Sequence, residues 1–458
     1  MRLFGTDGIR AIAGEGPLAP DVVVLVGRAL KVLLKDRPDL FRNKGVRETR
    51  RTVTRDISGA GKVLLARDTR ASGPAIEASL IEGFGLGMMS VGVLPTPGVS
   101  YLVRKWNCAL GVVISASHNP SEYNGIKLIA PDGFKVPDAA EQAIEEFIKS
   151  QTAPAPSFIA NLDFSARKIE YANFLRAHLP PESLSGLRVV VDAANGAASD
   201  LAPGLFRSFG AEVISRNVTT DGRNINVASG VLQHDLLVDL VKSEKANLGI
   251  AYDGDADRCI LVDETGAVRD GDFILAVVAD YLQEREMLPG SVVVSTVMAN
   301  YGLEKFLADR KIRLVRTNVG DRWVAEEMMR TGAPLGGEQS GHIIFFDALP
   351  TGDGLLTSIK ILKIMLDRKK PLSALCAGLT KVPQLLKNVK VASKPAFETV
   401  PALREAIAHA EKEIAGQGRV LVRYSGTEPL CRVMAEGADS ALVQKVVDQL
   451  VEVVKKNL

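Results

Sequence analysis

Four short stretches carry residue types that chemistry needs. The run Asp253-Gly254-Asp255-Ala256-Asp257-Arg258 places three carboxylates at alternate positions behind an apolar segment. From an extended or gently turned backbone such carboxylates point the same way. Left unpaired they repel, so a hard divalent cation is their natural partner. A solvated acidic turn is the plain alternative. It fits less well at the end of a buried strand, where open α/β sheets bind ligands. The stretch Gly111–Lys127 runs from small and β-branched residues into Ser115, Ser117, His118, Asn119 and Pro120. Asn-Pro is a strong turn signal, so a serine stands on a sharp strand exit with His118 and Lys127 nearby, a setting for phosphoryl or acyl transfer. Ser115 and Ser117 are equally placed by this reasoning.

The third stretch, Arg423 to Pro429 with Arg432 close behind, offers Ser425, Thr427, amides freed by Gly426 and two guanidiniums. That donor set suits a phosphate dianion, although a Ser-Gly turn would look the same. The fourth, Gly336 to His342, has Glu338 and Ser340 for sugar hydroxyls and His342 for a proton or a phosphate; a capped turn is an equal alternative. Arg10 and the run Arg67-Asp68-Thr69-Arg70 are further candidate anion contacts, with surface arginines in salt bridges as the plain alternative.

These stretches need elements to hold them. Alternating apolar runs and helical spacings predict strands at Val63–Ala66, Val91–Leu94 and Gly111–Ile114, with helices at Asp21–Leu34, Ile76–Met88 and Val99–Trp106 and a turn at Thr96–Gly98. Similar units follow: strands at Leu187–Asp192 and Leu248–Tyr252, then helices at Phe273–Glu284, Asp321–Thr331 and Gly354–Arg368. The tail reads as a smaller α+β unit that ends in an amphipathic helix, Ser440–Lys456. The Pro/Ala-rich Thr152–Phe158 reads as a linker, and the basic Asp36–Lys62 as a solvated insertion. The expected fold is α/β, with three consecutive mixed α/β/α sandwich domains (1–160, 161–264 and 265–382) and a C-terminal α+β domain (383–458) around a central cleft.

Bulk properties exclude several classes. At 458 residues, with 46% hydrophobic and 24% charged residues, the chain has the make-up of a globular protein with several cores. A formal net charge of +2 gives no ground for a nucleic-acid or membrane-surface partner. Four scattered cysteines with no CxxC read as reduced thiols. With no signal-like start and no apolar run of membrane length, a cytoplasmic location is expected.

Taken together and in order, SASHNP with NGIK, DGDADR, GEQSGH and RYSGTEP resemble the α-D-phosphohexomutases. The segments FGTDGIR, DAANGAAS (Asp192–Ser199), DGRNIN (Asp221–Asn226) and RVMAEG (Arg432–Gly437) resemble the phosphoglucosamine mutase branch. The resemblance implies that Ser117 is the phosphorylated serine and that Asp253, Asp255 and Asp257 hold one Mg2+ together with its phosphate. It implies that Glu338 and Ser340 contact the sugar, and that Arg423, Ser425, Gly426, Thr427 and Arg432 grip the phosphate that does not react. Arg10, His118, Lys127, Arg258 and His342 become candidates for acid, base and electrostatic roles. The implied activity is interconversion of glucosamine 6-phosphate and glucosamine 1-phosphate through a bisphosphorylated sugar, in a monomer or homodimer. Alternatives are a phosphomannomutase or phosphoglucomutase of the same superfamily, a phosphatase using an Asp of DGDADR, or a non-catalytic sugar-phosphate-binding protein. Tyr123 replaces the usual Asp before Asn124-Gly125, Tyr424 replaces Pro, and Val227-Ala228-Ser229 replaces a Cys-Gly-Ser segment; these departures bear on substrate choice rather than on the chemistry.

Overall fold

The computed structural model describes residues 3–5, 7–43, 61–150, 162–425 and 428–458. The expected linker at 152–158 and most of the basic insertion (44–60) lie outside them. Four sheets follow one another along the chain. The first uses β1 (Phe4–Gly5), β2 (Gly8–Ile12), β3 (Val63–Arg67), β4 (Met88–Val93), β5 (Leu110–Ile114), β6 (Tyr123–Ile129) and β7 (Leu162–Asp163), in the order β1-β2-β6-β5-β3-β4-β7. Its centre, β5, is buried along its whole length, as its small and β-branched residues require. It pairs parallel with β3 and antiparallel with β6, so the chain doubles back after the serine turn and returns beside β5.

The second sheet holds β8 (Arg188–Asp192), β9 (Glu212–Arg216), β10 (Leu248–Tyr252), β11 (Cys259–Asp263) and β12 (Val268–Arg269). The third holds β13 (Val292–Thr296), β14 (Arg313–Thr317), β15 (Leu335–Gly337) and β16 (Ile343–Phe345). The fourth holds β17 (Gln384–Lys390), β18 (Gly418–Tyr424) and β19 (Leu430–Gly437), packed on helices Pro401–Ile414 and Ser440–Asn457. The first and second sheets end just past the expected breaks at 160 and 264, because β7 and β12 join them as edge strands. Among the described residues no helix is long and apolar enough to cross a membrane.

Several elements differ from expectation for local reasons. Thr96–Gly98 is the first turn of helix Thr96–Trp106, not a separate turn, because Pro97 sits where its missing N–H costs nothing. The helix expected at Ile76–Met88 ends at Phe84, where Gly85 takes φ 82°. After β8 a short helix spans Ala202–Arg207. Strands β6 and β11 and helix Asp138–Lys149 were not anticipated; β6 and β11 immediately follow the serine turn and the acidic run.

Candidate functional site

Each chemistry-bearing stretch lies beside a strand end. After β5 the backbone amide of Ser117 donates to Ser115 Oγ (2.9 Å), and Ser115 Oγ donates to Asp68 Oδ2 (2.6 Å). Ser115 is thereby absorbed into the wall. Ser117 takes φ 52°, a left-handed conformation that non-glycine residues enter rarely. That backbone turns its hydroxyl onto the second sheet, where Oγ donates to Asp253 Oδ2 (2.7 Å). His118 Nδ1 lies 3.3 Å from the same hydroxyl. The two serines that sequence reasoning could not separate are separated here by backbone handedness.

The three carboxylates following β10 are buried, and one oxygen from each lies within 4.8 Å of the others. Ala256, at φ 55°, makes this a turn rather than an extended run. Their oxygens divide into engaged and free. Asp255 Oδ2 accepts from Thr96 Oγ1 (2.6 Å) and Lys127 Nζ (2.8 Å). Asp253 accepts from Ser117 and from the Arg258 amide (3.3 Å). Among the described residues, Asp255 Oδ1 and Asp257 Oδ1 are buried without any hydrogen-bond partner. Orphaned carboxylate oxygens are costly in a protein interior, and two beside a third carboxylate fit a divalent cation. Burial, then Asp257 and Asp255, push the Asp253 carboxyl well above the usual carboxylate range.

Cations ring this cluster. Lys127, on β6, is 2% exposed and also lies 3.3 Å from Asp7 Oδ2 and 3.6 Å from Asp257 Oδ2. Burial opposes its charge, but Asp255, Asp7 and Asp257 outweigh that and hold it protonated. Arg258 is likewise held protonated against its burial, by Asp257 and Asp253 first; its Nε lies 3.8 Å from Asp257 Oδ1 and makes no hydrogen bond among the described residues. Arg10 pairs with Asp7. His118 is driven the other way: burial, then Arg258 and Arg10, lower its pKa to about 4, so it is neutral at pH 7.

The loop between β15 and β16 brings Glu338 and His342 to the same place. Glu338 Oε1 accepts from the Gly320 amide (3.2 Å), and burial raises its pKa. His342 Nδ1 stands 3.7 Å from Asp257 Oδ1. Burial favours the neutral ring, whereas Asp257, Asp321 and Glu338 pull its pKa up to about 9. The hydrogen bonding decides between them: the Gly352 amide donates to Nε2 (2.9 Å), which a protonated Nε2 could not accept. The ring therefore carries its proton on Nδ1, facing Asp257. Ser340 is exposed at the loop tip.

Arg423 and Arg432 face each other across the β18–β19 register, each with an Nε that has no hydrogen-bond partner among the described residues. Burial, then Arg432, lower the Arg423 pKa. Arg432 Nη2 reaches Glu428 Oε2 (3.1 Å) and Ser425 Oγ (3.5 Å). Among the described residues this fourth group makes no hydrogen bond or ion pair to the other three. Gly426 and Thr427 lie outside the described residues.

One sequence expectation changes. Arg67 pairs with Glu77 (3.1 Å), which is the salt-bridge alternative, whereas Arg70 is fully buried among backbone carbonyls and closed to an anion. Sequence reasoning missed Asp7, Thr96, Lys135 and Asp321. Lys135 Nζ bridges Asp7 and Asp321 (2.8 Å) and so ties the first sheet's domain to the third's. Only Asp7, within a Gly-flanked polar start, carried any local signal.

Four family models match the chain in order, described as phosphoglucomutase/phosphomannomutase alpha/beta/alpha domain I (residues 45–155), domain II (169–266), domain III (270–382) and C-terminal domain (386–453). The chain is 44% identical to the phosphoglucosamine mutase of Symbiobacterium thermophilum, across 100% of this chain and 99% of that one. It is 43% identical to that of Carboxydothermus hydrogenoformans, across 99% of each. A solved phosphoglucomutase/phosphomannomutase family protein from Burkholderia thailandensis shares the fold, with a TM-score of 0.80 at 24% identity over 99% of this chain and 97% of that one.

Proposed function

The chain belongs to the phosphoglucomutase/phosphomannomutase family, and we propose that it interconverts glucosamine 6-phosphate and glucosamine 1-phosphate through a phosphorylated Ser117. The observation that carries this reading is the Ser117 hydroxyl held 2.7 Å from Asp253, beside two carboxylate oxygens that accept no hydrogen bond among the described residues. Full-length identity to phosphoglucosamine mutases supports the choice of substrate.

Phosphorylated Ser117 donates its phosphoryl group to the free hydroxyl of the bound sugar phosphate. The P–Oγ bond breaks as the new P–O bond forms. Lys127 and Arg258, both held as cations, neutralise charge on the transferring oxygens, which is where catalysis of phosphoryl transfer resides. Neither can take up the hydroxyl proton while charged; His118 is the neutral imidazole beside the serine and is the acceptor. Asp253, Asp255 and Asp257, together with the serine phosphate, would hold one Mg2+, which when bound withdraws charge from the phosphoryl oxygens. His342 Nδ1–H faces Asp257 at 3.7 Å, and Arg10 pairs with Asp7 beside Lys127. Glu338 and Ser340 receive the sugar hydroxyls. Arg423, Ser425, Gly426, Thr427 and Arg432 grip the phosphate that stays on the sugar. The bisphosphorylated intermediate then turns end for end and returns its other phosphate to Ser117. The four cysteines, all free and buried, accord with a cytoplasmic protein.

The test is a comparison of kcat/KM on glucosamine 6-phosphate, glucose 1-phosphate and mannose 1-phosphate. Glucosamine 6-phosphate is expected to lead by more than about tenfold. A lead for either hexose phosphate would overturn the substrate and leave the family intact.

A further inference from the structure

Two sequence motifs, DAANG and DGRNIN, have no role in the chemistry above, yet they converge behind Ser117. The Ser117 and Asn119 carbonyls are each bonded twice. From the first domain, Arg70 Nη2 donates to Ser117 O (3.0 Å) and Asn119 O (2.8 Å). From the second, Asn226 Nδ2 donates to the same two oxygens (2.8 and 3.0 Å). Both lone pairs of both carbonyls are filled. Arg70 is 0% exposed and uses every donor it has, with Nε on Asp68 Oδ2 (3.0 Å) and Nη1 on Tyr123 O (2.9 Å) and Pro120 O.

The second-domain half of this arrangement is built at close quarters. Asn226 sits at φ 60° and its amide donates to Ala194 O (2.9 Å), within DAANG. Thr69 Oγ1 donates to Asn195 O (2.5 Å). A Cβ at Gly222 would fall 2.1 Å from Thr69 O, and one at Gly254 would fall 2.5 Å from Ser117 O. Only glycine permits these approaches. The same contact that closes the two domains therefore presses on the serine turn.

We propose that Arg70 and Asn226 form an interdomain clamp of positioning residues that holds the Ser117 turn in its left-handed conformation and so fixes Oγ against the Asp253 carboxylate. The inference rests on Ser117 being the phosphorylated residue. A left-handed non-glycine residue is strained and persists only where its surroundings enforce it. Transfer needs the reacting atoms held to within about 0.5 Å. Asn226 makes that precision depend on the second domain, which also carries the three carboxylates. Arg70 alone would orient the turn within its own domain but not against them.

The test uses Asn226→Gly, which accepts φ 60° and removes both donors, and Asn226→Asp, which keeps the shape but sets an oxygen against the carbonyls. With glucosamine 6-phosphate both variants are expected to lose about 10- to 100-fold in kcat, with KM within about twofold. Amide exchange should accelerate within residues 115–123 and not elsewhere. Parent-like kcat in both variants, with Ser117→Ala inactive, overturns the clamp and leaves the phosphoserine reading standing. A KM that rises in step with the loss, or faster exchange across the whole chain, overturns it as well. Active Ser117→Ala overturns the reading on which the clamp rests.

Discussion

Ser117 Oγ and Asp253 Oδ2 lie 2.7 Å apart across the boundary between the first and second sheets, although 136 residues separate them in sequence. Ser117 is 1% exposed, and His118 Nδ1 lies 3.3 Å from the same hydroxyl. Ser117→Ala should abolish mutase turnover and leave far-UV circular dichroism unchanged. Its cost in stability is limited to the lost hydrogen bond, about 1 kcal/mol. Turnover at the parent rate in a coupled assay would remove Ser117 from the mechanism.

Metal removal should stop turnover, and Mg2+ should restore it best among divalent ions. The physical basis is the unpaired oxygens of Asp255 and Asp257 and the raised Asp253 carboxyl. A cation that relieves this repulsion binds the folded state alone, so thermal stability should rise with Mg2+ by about 2.7 kcal/mol at a hundredfold excess over Kd. Calorimetry of the chelated protein with and without Mg2+ checks this apart from activity. Full turnover in chelator would refute the metal's role, and an unchanged Tm would refute the linkage.

Arg423→Ala should raise KM by about 10- to 100-fold and change kcat less, because a hydrogen bond to a charged group contributes about 1.5–3 kcal/mol. The unpartnered Nε atoms of Arg423 and Arg432, facing across one register pair, are what a phosphate would bridge. Arg423→Lys keeps the charge but not the fork, so its KM should fall between the two. A loss confined to kcat would place Arg423 at the transferring phosphate instead.

What the sequence disclosed was local. The apolar run Leu248–Tyr252 followed by alternating aspartates reads directly as a strand end with a cation site, because every residue involved lies within a few positions of the next. The choice between Ser115 and Ser117 was not local: it depends on Asp68 capturing one hydroxyl and a left-handed turn presenting the other. Asn119-Pro120 was legible as a strand exit, but not the antiparallel return of Tyr123–Ile129, which puts Lys127 on a central strand rather than in a loop. Lys135 meets Asp7 across 128 residues and Asp321 across 186, and neither partner has a motif around Lys135 to announce it. Arg70, read as an anion contact, is a structural donor because the turn it faces offers only carbonyls.

Asp353, at a helix cap beside the aspartate turn, gives a pH test read from stability rather than from turnover. It caps helix Gly354–Arg368 by accepting from the Leu356 amide (2.9 Å), and Tyr171 Oη donates to its other oxygen (2.8 Å). Burial outweighs both bonds and raises its pKa from 3.8 to about 6. A carboxyl raised on folding binds its proton more tightly in the native state, so it stabilises the fold less as pH rises from about 4 to 6 and imposes a constant cost above that. Two pKa units correspond to about 3 kcal/mol. Asp353→Asn keeps the Leu356 cap through Oδ1 and turns Tyr171 into an acceptor, while carrying no charge to bury. The Tm of the variant minus that of the parent should therefore be larger at pH 7 than at pH 4, with the change falling between pH 4 and 6. A difference independent of pH would show that Asp353 is ionised in the folded protein throughout this range, held so by Leu356 and Tyr171.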